Sequence, residues 1–559
     1  MFLEQVDVVG FRGISRLSLK MSSTTVLIGE NAWGKSSFLD LLCRILGQDS
    51  GLYQFSESDF HQPWEDELES ASHLHVVLTF RERRSGSSQS KRLEHFKPVW
   101  CESRRRDKYQ RIYYRLSAEH SGRGVSTEHS FLDRHGHSIE LENSQQLLLD
   151  LVAMNPVIRI RDARANRELG ETELECSPES QEDGSTHSLE LRLEQLTHKL
   201  SEMPQQLSES EVRDGMHAIR CLLEHYFLSF GQRHQPQRRA RDIAIKPVSM
   251  QGLSNLTDLV RGTDNRHARL ALMGVVGTLL TEGRTRMLRP DVRPILIVED
   301  PESRLHPTLL ALAWGLVEQL PAQKLVTTNS LDLLASIPLN QIRRLVRHQH
   351  KIEVYRLGNE FYSAEDLRKI AFHLRLNRPG SLFARCWLLV EGETELWLLS
   401  ELARVCGYSL RAEGVRIIEF AQCGIKPLIK LARDFGVEWH LLTDGDEAGL
   451  KYANTVQIRL EGEREKDRLT VLPARDIEHF LYKNGFEEVY RKAAGSAGKR
   501  NMPQRRIIEK AISRYSKPGM ALSILEAIEA QPESSIEKIP LLFRQLFARV
   551  ISLARRQAG

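Results

Sequence analysis

The strongest constraint on this chain comes from residues 27–40, LIGENAWGKSSFLD. A short apolar run ends in Gly29, and Gly34, Lys35 and Ser36 follow at the spacing G-x-x-x-x-G-K-S. Such a pattern demands a strand, a tight loop and a helix in immediate succession. Only then do the backbone N–H groups of the loop and the helix N-terminus face the same phosphates. The flanks comply: TTVLIG reads as a strand, and KSSFLDLLCRIL has the apolar period of a helix. In that frame Lys35 reaches the β and γ phosphates of ATP and Ser36 holds Mg²⁺. Gly29, Asn31, Gly34 and Ser37 complete the expected nucleotide-binding loop.

A phosphate loop needs acidic partners before hydrolysis is expected. Residues 295–307, ILIVEDPESRLHP, supply them. Four apolar residues read as a buried strand ending in Glu299 and Asp300. One carboxylate there can hold the Mg²⁺ shell while its neighbour orients the attacking water.

At 559 residues the chain is too long for one ordinary core, so two or three domains are expected. The formal net charge of +4 neither requires nor excludes a nucleic-acid partner. Any basic surface must be local, as in the Arg/Lys clusters at 81–92, 103–111 and 232–241. The seven cysteines form no C-x-x-C pair, which argues against zinc and a disulfide framework and for reduced, cytoplasmic thiols. The first residues carry charges where a signal peptide needs an apolar run, and no segment is apolar enough to span a bilayer. Residues 166–215 are polar and helical in their second half, as in an inserted arm.

A second acidic constellation begins near residue 384. LLVEGETE ends an apolar strand in Glu391, with Glu395 four residues on, on the same face if a helix follows. LLTDGDEAG ends another strand in Asp444 and Asp446, and LPARDIEHF offers Asp476 and Glu478 after a third. In a parallel sheet these strand ends share one carboxyl edge, where α/β active sites form. Carboxylates without thiols or imidazoles suit hard cations such as Mg²⁺ or Mn²⁺. Two such ions can stabilise the attacking and leaving oxygens of a phosphodiester.

Several of these stretches resemble known families. PESRLHP resembles the segment after Walker B in ABC-type ATPases. VDVVGFRGISRLSLKMSSTTVLIGENAWGKSSFLD resembles the heads of RecF-like and structural-maintenance-of-chromosomes proteins, where the equivalent of Arg12 lies beside the nucleotide. Three departures stand out. The strand ends in Glu299-Asp300 rather than Asp-Glu or Glu-Glu. Asn329 in LVTTNS takes the place of the usual His. The signature motif before Walker B is reduced to Gly262 and Thr263 in LVRGTDNRHARLALMG. Together they imply slow hydrolysis, or ATP used as a clamp.

The ordered set E-G-x-x-E, D-x-D, D-I-E resembles the TOPRIM domain of topoisomerases, primases and small nucleases. A RecF-like head joined to a TOPRIM domain is similar to the OLD family (overcoming lysogenization defect) of ATP-dependent nucleases, which NPVIRIRDAR at 155–164 also resembles. The resemblance implies that Glu391, Glu395, Asp444, Asp446 and Glu478 hold the metals. It also implies a basic residue late in the domain, for which Lys517 in RYSKPGMALSI is the candidate that stabilises the transition state.

The expected fold is α/β. An N-terminal ABC-type (RecF/SMC-like) P-loop ATPase with a helical insertion precedes a C-terminal TOPRIM α/β domain with a helical tail. The expected boundaries are 1–165 and 241–375 for the two halves of the ATPase, 166–240 for an insertion that dimerises the chain, and 376–559 for the TOPRIM domain. The expected activity is an ATP-dependent, metal-dependent DNA endonuclease or nickase, in phage defence or DNA repair, that uses ATP and Mg²⁺ or Mn²⁺. The expected partners are DNA and a second copy of the chain, with no membrane. The rival readings are an ATP-switched DNA clamp with a structural TOPRIM domain, and a TOPRIM strand-passage or primase enzyme.

Overall fold

The computed structural model describes residues 1–31, 33–47, 51–62, 71–102, 108–121, 124–160, 209–222, 250–252, 254–255, 292, 294–303, 305–348, 351–358, 362–495, 502–530 and 535–557. Most of the expected insertion 166–240, the basic cluster 232–241, and Gly262 and Thr263 lie outside the described residues. The chain divides into two compact units. One comprises Met1–Ile337, Gln341–Leu345 and His350–Val354; the other comprises Pro338–Asn340, Val346–Gln349 and Tyr355–Gly559.

The first unit is built on a mixed sheet. Its strands in chain order are β1 (Phe2–Phe11), β2 (Ile14–Lys20), β3 (Thr24–Ile28), β4 (His73–Arg81), β5 (Arg111–Ser121), β6 (Gly124–Leu132), β7 (Ser138–Ile139), β8 (Val157–Ile160), β9 (Ile295–Glu299), β10 (Gln323–Thr327), β11 (Ile342–His348) and β12 (Lys351–Tyr355). The spatial order is β7-β6-β5-β4-β1-β2-β12-β11-β3-β10-β9-β8. The β4, β5 and β6 runs pair antiparallel, as their alternating apolar pattern predicts. By contrast β3, TTVLI, is buried at every residue and lies between parallel neighbours, as a strand covered on both faces must. Helices α1 (Lys35–Leu46), α2 (Ser144–Met154), α3 (Glu209–Leu222) and α4 (Pro307–Gln319) belong to this unit. Leu39, Leu42, Leu148, Leu151, Ile297 and Leu325 share one core.

Two cations from the basic clusters are internal ties. Arg111 donates to Glu4 at 2.5 and 3.0 Å, and Arg81 lies 3.6 Å from the same carboxylate and stacks on Phe2 and Tyr109. In the cluster 103–111, residues 103–107 lie outside the described residues.

The second unit carries a four-stranded, wholly parallel sheet in the order β14-β13-β15-β16. These strands are β13 (Cys386–Val390), β14 (Val415–Glu419), β15 (Glu438–Thr443) and β16 (Leu469–Val471). The helices used below are α5 (Glu393–Val405), α6 (Ile425–Asp434), α7 (Glu447–Gln457), α8 (Ile477–Leu481), α9 (Glu487–Ala493), α10 (Gln504–Glu529) and α11 (Leu541–Arg556). Leu388, Leu398, Phe480, Ile524, Phe543 and Phe547 join sheet and tail helices in one core. Helix α10 is broken at Ser516, whose φ of 62° and ψ of 168° are not helical. The Ser516 hydroxyl accepts from Gly519 N at 3.3 Å, so it caps a second half-helix that starts at Lys517. Pro518 is tolerated because it sits in that first turn, where its missing N–H has no helical partner to lose.

Candidate functional site

In the first unit, β3, β10 and β9 run parallel with β10 in the middle. The loop after β3, the turn after β9 and the segment after β10 therefore leave the sheet at one edge. Gly34 caps α1 with φ 80°, a left-handed turn that glycine adopts without a steric penalty. Lys35 follows with only 4% of its surface exposed. Its Nζ donates to Gly29 O at 2.5 Å and to Asn329 Oδ1 at 3.4 Å. Burial lowers its pKa, against the attraction of Asp300, Glu302 and Glu30. Asn329 also donates to Asn31 at 3.5 Å, so its amide bridges the loop and the lysine. Ser36 is exposed in the first turn of α1, and Ser37 is half-buried.

The acids after β9 are fixed from both sides. Asp300 takes the left-handed region, φ 40°, and accepts from the Thr327 hydroxyl at 2.9 Å, while its N–H donates to Thr327 O at 3.1 Å. Glu299 accepts from Arg159 Nε at 2.9 Å and Nη2 at 2.5 Å, and the same guanidinium pairs with Asp40 of α1. Arg12, in the turn between β1 and β2, meets Asp40 at 3.3 Å and the buried Asp59 at 3.0 Å. Asp40 is thus held by Arg12 and Arg159 together. Arg159 and Glu302 were given no role from sequence. Glu302 accepts from Thr328 Oγ1 at 2.8 Å and from Asn329 N at 2.5 Å, and so aims Asn329. Arg159 lies inside NPVIRIRDAR, but its partners are remote in sequence and no spacing rule reveals them.

In the second unit the carboxyl ends of β13 and β15 and the turn after β16 bring the acids together. Burial raises the pKa of Glu391, helped by Asp446 and Glu395. Burial likewise raises that of Glu395, with Glu478 among the other causes. Asp444 is pushed up to about 8 by burial and by the charges of Glu395, Glu391, Asp476 and Glu478. Glu391 Oε2 is buried without a hydrogen-bond partner. Lys517 Nζ lies 2.9 Å from Glu478 Oε1. Burial opposes the charge of Lys517, but the bond to Glu478 and the field of Glu395 and Asp476 raise its pKa.

Each remaining carboxylate has a local tie. Glu395 accepts from Gly392 N at 3.2 Å, Asp446 caps α7 through Gly449 N at 2.7 Å, and Asp476 caps α8 through His479 N at 2.8 Å. Burial works against the charge of Asp476, but the backbone N–H and ring of His479 hold its pKa down. Among the described residues no three His, Cys, Asp or Glu side chains stand ready to hold one metal ion. The acids are neighbours, then, with their oxygens turned to caps and to Lys517. The donor set still fits a hard cation: oxygens only, one of them orphaned, and Asp444 pushed up to about 8 by burial and the surrounding acids.

Residues 1–381 match the family described as protein of unknown function DUF2813. Residues 382–446 match the TOPRIM domain of overcoming lysogenization defect-like proteins, a stretch that ends before Asp476, Glu478 and Lys517. The chain is 44% identical over 562 residues to the uncharacterized protein YbjD of Escherichia coli strain K12, covering 100% of both. Among solved structures, it is similar to the C-terminal region of the Xanthomonas campestris pv. campestris OLD protein, with 17% identity over 31% of this chain and 96% of that one and a TM-score of 0.26. It is also similar to the SMC head domain from Thermotoga maritima, with 12% identity over 64% of this chain and 100% of that one and a TM-score of 0.30. No helix among the described residues is long and apolar enough to cross a membrane.

Proposed function

For a chain that belongs to the DUF2813 family and carries an OLD-like TOPRIM domain, we propose an ATP-controlled, divalent-metal-dependent DNA endonuclease. The observation that carries this reading is the gathering of Glu391, Glu395, Asp444 and Glu478 at the edge of a parallel sheet, with Lys517 paired to Glu478. Glu391, Glu395, Asp444, Asp446 and Glu478 would hold Mg²⁺ or Mn²⁺. The bound metal supplies Lewis-acid stabilisation of the phosphodiester oxygens. Lys517 would release Glu478 and place its ammonium against the charge that develops on phosphorus-bound oxygen. Asp476 keeps its cap and orients α8, and with it Glu478.

ATP would sit on the loop from Gly29 to Ser37. Lys35 would exchange its bond with Gly29 O for the β and γ phosphates, Ser36 and one of the acids Glu299 and Asp300 would hold Mg²⁺, and Arg12 would flank the nucleotide. Asn329 would meet the γ phosphate as a neutral hydrogen-bonding group. In this reading residues 1–165 and 241–375 form the ATPase, 166–240 an insertion that joins two copies, and 376–559 the nuclease.

The experiment is nicking of supercoiled plasmid by the full chain, with and without Mg²⁺ or Mn²⁺ and with and without ATP, beside Asp444→Asn. Metal-dependent nicking lost in the variant supports the reading; equal nicking by both proteins would overturn it. The capping ties of Glu395, Asp446 and Asp476 favour one rival, an ATP-switched DNA clamp whose TOPRIM acids are structural. That rival expects DNA binding that responds to ATP and no metal-dependent nicking.

A further inference from the structure

The acid cluster poses an electrostatic problem if its substrate is a polyanion: its own charge repels what it must cut. The first half of α10 carries the opposite charge. Arg506, Lys510 and Arg514 are exposed and lie at i, i+4 and i+8, which places them on one ridge of the helix. Like charges at this spacing weaken an isolated helix, so the ridge has no local structural benefit. Arg514 rests over Gly495, where a Cβ would come within 2.1 Å of its Nη1, so any side chain there would displace the guanidinium. The ridge runs toward the break at Ser516, and Lys517 reaches Glu478 immediately beyond it. Tyr515, the last residue before the break, is 52% exposed.

The 2.8 Å pair between Arg404 and Glu529 sets the register of α5 against α10. Two turns earlier on each helix come Trp397 and Leu522, which are 62% and 59% exposed. Cations therefore precede Lys517 along the helix, and the exposed Tyr515 lies two residues before it in the chain.

We propose that this ridge is the track that brings a DNA strand to the acid cluster, and that Tyr515 stacks on an unpaired base beside the phosphate held at Lys517. The proposal rests on the nuclease reading and deepens it by naming the surface and the form of the substrate. Fixed cations along a groove hold sugar-phosphate backbone without regard to sequence, and an exposed ring accepts any base whose face is free. From Arg506 to Tyr515, the last residue before the break, the helix axis advances roughly 14 Å, which spans about four nucleotide steps of stacked strand. A duplex has no free base face to offer Tyr515, so frayed, nicked or single-stranded DNA binds better than intact duplex.

The test is anisotropy of fluorescent single-stranded and duplex oligonucleotides with the full chain in EDTA, where binding is read without cleavage. In the triple variant Arg506→Gln, Lys510→Gln, Arg514→Gln, the slope of log affinity against log salt falls by about two for a single strand. A control triple, Lys369→Gln, Lys451→Gln, Arg555→Gln, changes net charge equally at other exposed sites and keeps the slope. Tyr515→Ala loses about tenfold in single-strand affinity, while Tyr515→Phe retains it. An equal slope change in both triples, or no DNA binding by the unaltered protein, would overturn the track. Equal losses on single strand and duplex in Tyr515→Ala would overturn the stacking. The nuclease reading fails on a different result, the absence of metal-dependent nicking by the unaltered protein.

Discussion

Replacing Asp444 with asparagine should abolish nicking and at the same time stabilise the metal-free fold. Asp444 directly follows β15 among other acids, and burial and repulsion lift its pKa from 3.8 to about 8. A carboxylate raised in this way favours the folded state only while protonated. Its contribution is full below pH 3.8 and is lost as pH rises through about 8. At roughly 1.4 kcal/mol per unit, keeping the proton costs about 5 kcal/mol near pH 8 and under about 2 kcal/mol near pH 5. Burial is the largest cause and the four neighbouring acids add to it, and an amide remains a buried polar group, so Asp444→Asn recovers about 2–3 kcal/mol of that cost. For a unit of this size that is a rise in Tm of roughly 5–10 °C.

The assay is calorimetric melting of both proteins in EDTA near pH 5 and near pH 8, then with Mg²⁺. Asp444→Asn should melt higher near pH 8, and the gap should close near pH 5, where Asp444 is already neutral. Mg²⁺ should raise the Tm of the unaltered protein near pH 8 and leave the variant almost unmoved. A variant that melts at or below the unaltered protein near pH 8, with the same response to Mg²⁺, would refute the idea that these acids form one destabilised cation site.

Four further outcomes follow from the two sites. Lys35→Ala should lose ATP binding in equilibrium dialysis while keeping the Mg²⁺-dependent Tm rise of the second unit. Asn329→His should raise steady-state ATP turnover or leave it unchanged, and a non-hydrolysable ATP analogue should reproduce the effect of ATP on nicking; rapid turnover together with an inert analogue would sink the occupancy-switch reading. Arg159→Met removes the shared cation of Asp40 and Glu299 and should destabilise the first unit by about 3 kcal/mol, read as a lower midpoint in urea. Light scattering at micromolar concentration should give at least a dimer, as expected if a second copy completes the nucleotide site; a monomer with and without ATP would refute it.

The two sites were legible in the sequence to different depths, for physical reasons. A phosphate loop and acidic strand ends are local patterns: the chain must turn at Gly29 and Gly34, and a parallel strand must end at its carboxyl edge. Hence Lys35, Glu299, Glu391 and Asp444 could be placed from spacing alone. Arg159 and Glu302 could not, because each acts on a partner that only the sheet order brings near. The β8-β9 pairing puts Arg159 beside Glu299, and the turn after β9 puts Glu302 beside Asn329. The basic ridge of α10 was hidden for another reason. The tail after 485 reads as helical and basic, but the ridge's three cations are interspersed with Ile507, Ile508 and Ala511, which the helix buries, so only the helical turn lines them up on one ridge. Arg81 and Arg111 mislead in the opposite direction, since they sit in conspicuous basic runs and spend their charge on Glu4.

The backbone also marks the two candidate sites. Among the described residues, four non-glycine residues adopt positive φ: Arg12, Asp300, Glu461 and Ser516. Three of the four adjoin or belong to the sites described above. Such conformations cost of order 1 kcal/mol or more each and persist only where surrounding bonds over-determine them. Arg12 N donates to Asp59 O at 2.9 Å, Asp300 is bonded to Thr327 through both its N–H and its carboxylate, and Ser516 caps its own half-helix. Each of these turns carries or adjoins a charged side chain of the candidate sites: a guanidinium that pairs with Asp40 of α1, a carboxylate after β9 that accepts from Thr327, and an ammonium that pairs with Glu478. Glycine would relieve the strain but would remove the charged group at Arg12 and Asp300. At Ser516 it would remove the cap that fixes Lys517. Ser516→Gly should therefore leave the fold intact and weaken the Lys517–Glu478 pair. The measurable consequence is nicking that needs more Mg²⁺ or runs more slowly at saturating Mg²⁺; an unchanged metal profile would show that the cap does not position the lysine.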